Sequence, residues 1–139
     1  MDIDLKKLNF TFTTPPLLIG GKAMEYYGIR PAGADIDFVV TRPDYERLAA
    51  QYPGNLKDLW GDLGVCPFEF EIWTSICLFD YNDLAPEAIE EREYRVISLK
   101  NLLFLKTLAY KVEKYHHDME LLVEHILHER YEKQGNHTS

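Results

Sequence analysis

A chain of 139 residues is long enough for one domain with a genuine core, and its formal net charge of −8 disfavours broad binding to duplex DNA, whose phosphates it would repel. Hydrophobic residues make up 46% and aromatics 13% of the chain, a composition that argues against disorder. No apolar stretch approaches the roughly 18 residues of a membrane span, and the opening MDIDLKKLNF lacks the apolar centre of a signal peptide, so a cytoplasmic location is the expectation.

In chain order, FTFTTPPLLIGG reads as an extended entry into a buried strand that ends at Gly20, with Pro15 and Pro16 delaying its start. KAMEYYG predicts a short helix closed by Gly28, and DIDFVV a second strand. RPDYERLAAQY predicts a second helix, with Pro43 in its first turn and Asp44 favourable to its dipole. NLKDLWGDLG reads as a loop or frayed turn. In VCPFEFEIWTSICLF, Phe68, Phe70 and Ile72 alternate with Glu69 and Glu71, the mark of a strand with both carboxylates on one face. EAIEEREYR reads as a solvated surface segment.

From Ser98, a candidate N-cap, the character changes. SLKNLLFLKTLAYKVEKY and HDMELLVEHILHERYEK are helical in spacing, and Met119, Leu122, Val123 and Ile126 share one helical face. His117, Glu120, Glu124 and His128 share the opposite, solvated face, without zinc-site spacing. The terminal QGNHTS is expected to fray. Cys66 and Cys77 read as buried free thiols, and Trp60 and Trp73 as core or interface residues. The order of elements predicts an α+β fold: one domain over 1–139, a small twisted mixed sheet packed by helices within about 15–80, and a helical part over about 98–133.

The chemistry concentrates between Leu17 and Val40. On an extended strand Asp35 and Asp37 project from one face while Ile36 and Phe38 point to the other. Two adjacent carboxylates repel each other, and a divalent cation relieves that conflict. Magnesium takes hard oxygen ligands, one or two carboxylates plus substrate phosphates. A third acid, Glu71 in preference to Glu69, would allow two ions to act together on a phosphoryl group. Gly20 and Gly21 in a strand-to-helix turn would let the backbone approach a phosphate, with Lys22 and Arg30 adding charge. Lys106, inside an apolar helix, is a further candidate for the triphosphate or base.

IGGKAMEYYGIRPAGADIDFVV resembles the signature of the polymerase-beta-type nucleotidyltransferase superfamily: an apolar residue, two small residues, a gap, then Asp-apolar-Asp-apolar. Its form is similar to small bacterial members, the abortive-infection type nucleotidyltransferase toxins and the antibiotic adenylyltransferases. VISLKNLLFLKTLAYKVEKYHHDMELL resembles the helical segment of those toxins, and the likeness extends over about residues 17–122. It implies a nucleotidyltransferase fold and transfer of a nucleoside monophosphate from an NTP to an acceptor hydroxyl, with release of pyrophosphate. Asp35, Asp37 and Glu71 would ligate two Mg²⁺ ions, with Gly20, Gly21, Lys22, Arg30 and Lys106 serving the nucleotide. The alternative is a catalytically inactive nucleotide-binding regulatory partner, as in a toxin–antitoxin pair, favoured by Lys22 where the family often carries a hydroxyl. A homodimer mate or a helical toxin or antitoxin partner is expected to complete the acceptor side.

Overall fold

The computed structural model describes residues 2–59 and 61–137, with side chains as far as Gln134; Trp60 lies outside the described residues. The fold is α+β, and the chain divides into two compact units between Ser98 and Leu99.

In the first unit a short 3-10 turn at Leu5–Leu8 precedes β1 (Leu17–Ile19), which starts directly after the two prolines and is buried throughout. α1 (Gly20–Tyr26) follows without a linker, and β2 (Ile36–Val39) returns antiparallel to β1. α2 (Arg42–Gln51) carries Pro43 and Asp44 in its first turn, where a missing N–H costs nothing and a negative charge meets the positive end of the helix. Then come β3 (Leu56–Leu59), β4 (Asp62–Val65) and β5 (Phe70–Trp73). A small hairpin of β6 (Ser75–Ile76) and β7 (Phe79–Asp80), the single turn α3 (Tyr81–Leu84), β8 (Ile89–Glu90) and β9 (Arg95–Val96) complete the unit. Among the described residues, seven strands form one mixed sheet in the order β3-β4-β5-β2-β1-β9-β8.

Register explains where the core sits. Val96, Leu18, Phe38, Ile72 and Val65 stand side by side across five strands, and every one is fully buried. Phe38 and Phe70 stack with ring centroids 6.3 Å apart on the same side. At roughly 1.5–3 kcal/mol for each such side chain removed from water, this row fixes which residues face the interior. A slip by one residue would turn all of them outward, so the alternate positions, Asp37 and Glu71 among them, are held on the other face.

In the first unit the structure departs from the sequence reading in four places. NLKDLWGDLG is not a loop, because its two ends pair as the antiparallel strands β3 and β4; their largely exposed side chains hid the pattern. VCPFEFEIWTSICLF is not one strand. Pro67 ends the first ladder and Phe68 adopts a left-handed φ of 55°, so β5 begins only at Phe70. EAIEEREYR contains the hairpin β8–β9, and β9 runs parallel beside β1. Cys66 is buried as expected, whereas Cys77 is exposed at the tip of the β6–β7 hairpin. There Cys77 and Leu78 both take positive φ, 49° and 69°, the backbone of a two-residue type I′ turn, and Leu78 is 89% exposed.

The second unit pairs α4 (Leu99–Leu108) with α5 (Tyr115–His137). The long helical pattern that begins at Leu99 therefore breaks after Leu108, in a run of turns over 109–114 closed by bonds such as Val112 N–H to Ala109 O. Leu122 is buried and Met119 and Ile126 are half-buried, but Val123 is exposed, so the apolar face is narrower than its spacing implied. His117 and His128 are exposed beside Glu120 and Glu132. The helix is described through Gln134 to His137, and the end of QGNHTS, Thr138 and Ser139, lies outside the described residues. Among the described residues no helix is long and apolar enough to cross a membrane.

Candidate functional site

Ile19 pairs with Asp37, and Asp37 pairs with Glu71 on the parallel neighbour β5. The face opposite the buried row therefore carries two carboxylates side by side, both half-exposed. Val65 pairs with Ile72, which sets Cys66 alongside Glu71 at the end of the same row. Burial pushes the Cys66 thiol up, and the nearby charges of Glu71 and Asp37 push it in the same direction. Cys66 was not singled out from the sequence as a neighbour of the acids; only the pairing of β4 with β5 reveals it.

Gly20 explains how β1 meets this row. Its φ is +66°, a conformation that side chains rarely adopt, and a Cβ placed there would run into the Asp37 carboxylate, 3.1 Å from its Cγ. The glycine therefore gives the carboxylate of Asp37 the space directly over the first residue of α1. Gly21 is spaced differently. A Cβ there would meet Ala32 at 3.6 Å and the two terminal nitrogens of Arg30 at 3.8 and 3.9 Å, which are ordinary contacts. The guanidinium of Arg30 thus lies over the second glycine, with Nη1 donating to the carbonyl of Pro31 at 2.9 Å.

Asp35 stands just before β2, exposed, two residues from Asp37 and so on the same side of the strand. Lys22 leans toward Glu25 at 3.9 Å. Glu69 is drawn elsewhere: Lys7 donates to it at 2.8 Å, and that bond holds the Glu69 carboxyl below, and the Lys7 ammonium above, their ordinary ranges. Of the two glutamates weighed as third acid, Glu71 is the one beside Asp37. Lys7, 62 positions away in sequence, offered no signal. Lys106 belongs to the second unit, where its ammonium meets Asp118 at 3.0 Å and lies 4.6 Å from the centre of the Tyr115 ring.

The donors of this face are hard carboxylate oxygens, the ligand class that Mg²⁺ takes. They are spread along a row: among the described residues no group of three or more His, Cys, Asp or Glu side chains is arranged to hold a metal ion by itself. What the row offers is an open pair, Asp37 and Glu71, with Asp35 beside it and a glycine turn carrying Arg30 on the flank. Such an arrangement suits an ion that brings oxygens of its own, as a metal-bound phosphate does. Set against known protein families, curated protein sequences and solved structures, the chain matches none.

Proposed function

We propose that this protein is a metal-dependent nucleotidyltransferase, which moves a nucleoside monophosphate from an NTP to an acceptor hydroxyl and releases pyrophosphate. The observation that carries the reading is the juxtaposition of Gly20 with Asp37 and of Asp37 with Glu71: a glycine turn that opens a helix, set against paired acids on neighbouring strands. The motif resemblance between Leu17 and Val40 supports the same chemistry. Asp35, Asp37 and Glu71 would hold Mg²⁺, which supplies charge neutralisation for the triphosphate and for the departing pyrophosphate. Gly20 keeps the carboxylate of Asp37 in place, Gly21 leaves room for a phosphate beside Arg30, and Lys22 adds positive charge in the first turn of α1. Lys106 is proposed as a further nucleotide contact.

Purified protein incubated with Mg²⁺ and each of the four NTPs is expected to release pyrophosphate, and Asp35→Asn/Asp37→Asn to lose that release by at least a hundredfold. Equal release by the double variant overturns the assignment. A second reading, nucleotide binding without transfer, draws on the absence of a three-ligand metal group among the described residues. It predicts thermal stabilisation by Mg²⁺ with an NTP and no pyrophosphate across acceptor panels.

A further inference from the structure

With 23 residues against the ten of α4, α5 is flanked by its neighbour over less than half of its length. His116, Glu120, Val123, Leu127, Arg130 and Gln134 follow one another along it at alternating steps of four and three. That spacing keeps one seam of a helix turned toward a partner helix. All six side chains are exposed, Val123 at 41% and Leu127 at 48%, whereas Asp118 and Leu122, on the side turned away from the seam, are buried.

Reversed, the seam is complementary to itself. Its midpoint is position 125, and an antiparallel copy centred there sets Val123 opposite Leu127, Glu120 opposite Arg130 and His116 opposite Gln134. Apolar meets apolar at the middle, and acid meets base on both sides of it. A parallel copy would set Glu120 against Glu120 and Arg130 against Arg130, an orientation that like charges oppose. Within one chain these two charges are left over. Among the described residues Arg130 makes no ion pair or side-chain hydrogen bond, and Glu120 has beside it the exposed His117, 3.6 Å away and charged only when protonated.

We propose that two copies of this chain associate through this face as an antiparallel α5–α5 pair, the same patch serving both partners. Beside the seam the half-buried Ile126 meets its own copy on one flank, and the exposed Glu124 meets its own on the other, where salt screens the repulsion. The charged layers fix the antiparallel register at a cost in stability, so the dimer is weak and reversible. The interface lies wholly on α5 and does not rest on the nucleotidyltransferase reading.

The test is sedimentation velocity of the full chain over about 5–500 µM, the span in which a weak dimer forms. The wild type is expected to pass from monomer to dimer across it. Glu120→Arg and Arg130→Glu, both at exposed side chains, are each expected to weaken association about tenfold or more. An equimolar mixture of the two single variants restores both acid–base layers, as does the double variant Glu120→Arg/Arg130→Glu, and each is expected to return to within about threefold of wild type. Glu124→Gln removes the like-charge contact and is expected to tighten the dimer several-fold, an arm that stays decisive whatever the charge swaps do to folding. The proposal fails if the wild type is monomeric throughout, if either charge swap associates as well as wild type, if neither the mixture nor the double variant recovers, or if Glu124→Gln changes nothing. A monomeric wild type that binds a different protein through α5 assigns the face to that protein and overturns the second copy.

Discussion

At Gly20 one hydrogen atom separates a working geometry from a collision. Gly20→Ala would force a left-handed φ on a residue with a Cβ, at a cost of about 1–2 kcal/mol, and would also push the Asp37 carboxylate from its place. Gly21→Ala meets nothing closer than 3.6 Å and carries no left-handed strain. Chemical denaturation is expected to show the first variant less stable by that amount and the second within about 0.5 kcal/mol of wild type. Pyrophosphate release should fall steeply in kcat in the first, where Asp37 is displaced, whereas the second should keep kcat within a few-fold and raise the KM for NTP, since its Cβ takes part of the room left for a phosphate beside Arg30. Equal behaviour of the two would mean that the glycine does not position Asp37. These residues were legible in the sequence because their constraints are local: a glycine turn after an apolar run, and alternation along a strand. The preference for Glu71 over Glu69 was also made from the sequence; what the sequence could not show is the pairing that sets Glu71 beside Asp37 and the Lys7 contact that holds Glu69 elsewhere, which no periodicity encodes.

Among the elements, α2 shows how a helix holds a strand entry in place. Asp44 is fully buried, yet it accepts from the Thr13 amide with both oxygens, from the Thr13 hydroxyl and from the Thr14 amide, and pairs with Arg47 at 3.1 Å. Further along the helix Arg47 lies over the Phe10 ring at 4.5 Å, and the Gln51 side chain donates to the carbonyls of Leu8 and Asn9. Residues 8–14 are thus strapped along α2, and β1 enters the sheet from a fixed point. Asp44→Ala would strand two backbone amides and a hydroxyl, with an expected loss of about 3 kcal/mol. Urea denaturation should show a lower midpoint with an unchanged slope; a loss under 1 kcal/mol would mean that water replaces the carboxylate freely. From the sequence Asp44 was visible only as a favourable charge in the first turn. Elements with a buried face, β1, β2, β5 and α2, were legible for the reason that burial imposes a period. The hairpins β3–β4 and β8–β9 were not: Val65 and Val96 are buried, but most of their other residues are charged, glycine or exposed and carry no apolar alternation to read.

On the scale of the whole chain, a net charge of −8 means that any nucleotide triphosphate meets a repulsive field unless a cation accompanies it. The second unit poses the complementary question of what a buried cation is for. Lys106 is 8% and Asp118 5% exposed, joined at 3.0 Å between α4 and α5. Removing only Lys106 leaves Asp118 buried without its cation, and Lys106→Met is expected to cost about 3–5 kcal/mol. Replacing both, as Lys106→Met/Asp118→Leu, removes the two charges together and is expected to recover stability to within about 1 kcal/mol of wild type. The folded double variant then separates architecture from chemistry. If Lys106 serves the nucleotide, as proposed, the double variant unfolds like wild type in urea but loses NTP-dependent pyrophosphate release. If the pair is only a packing device, stability and release recover together. A double variant as unstable as the single one would show that the ion pair is not what holds α4 to α5.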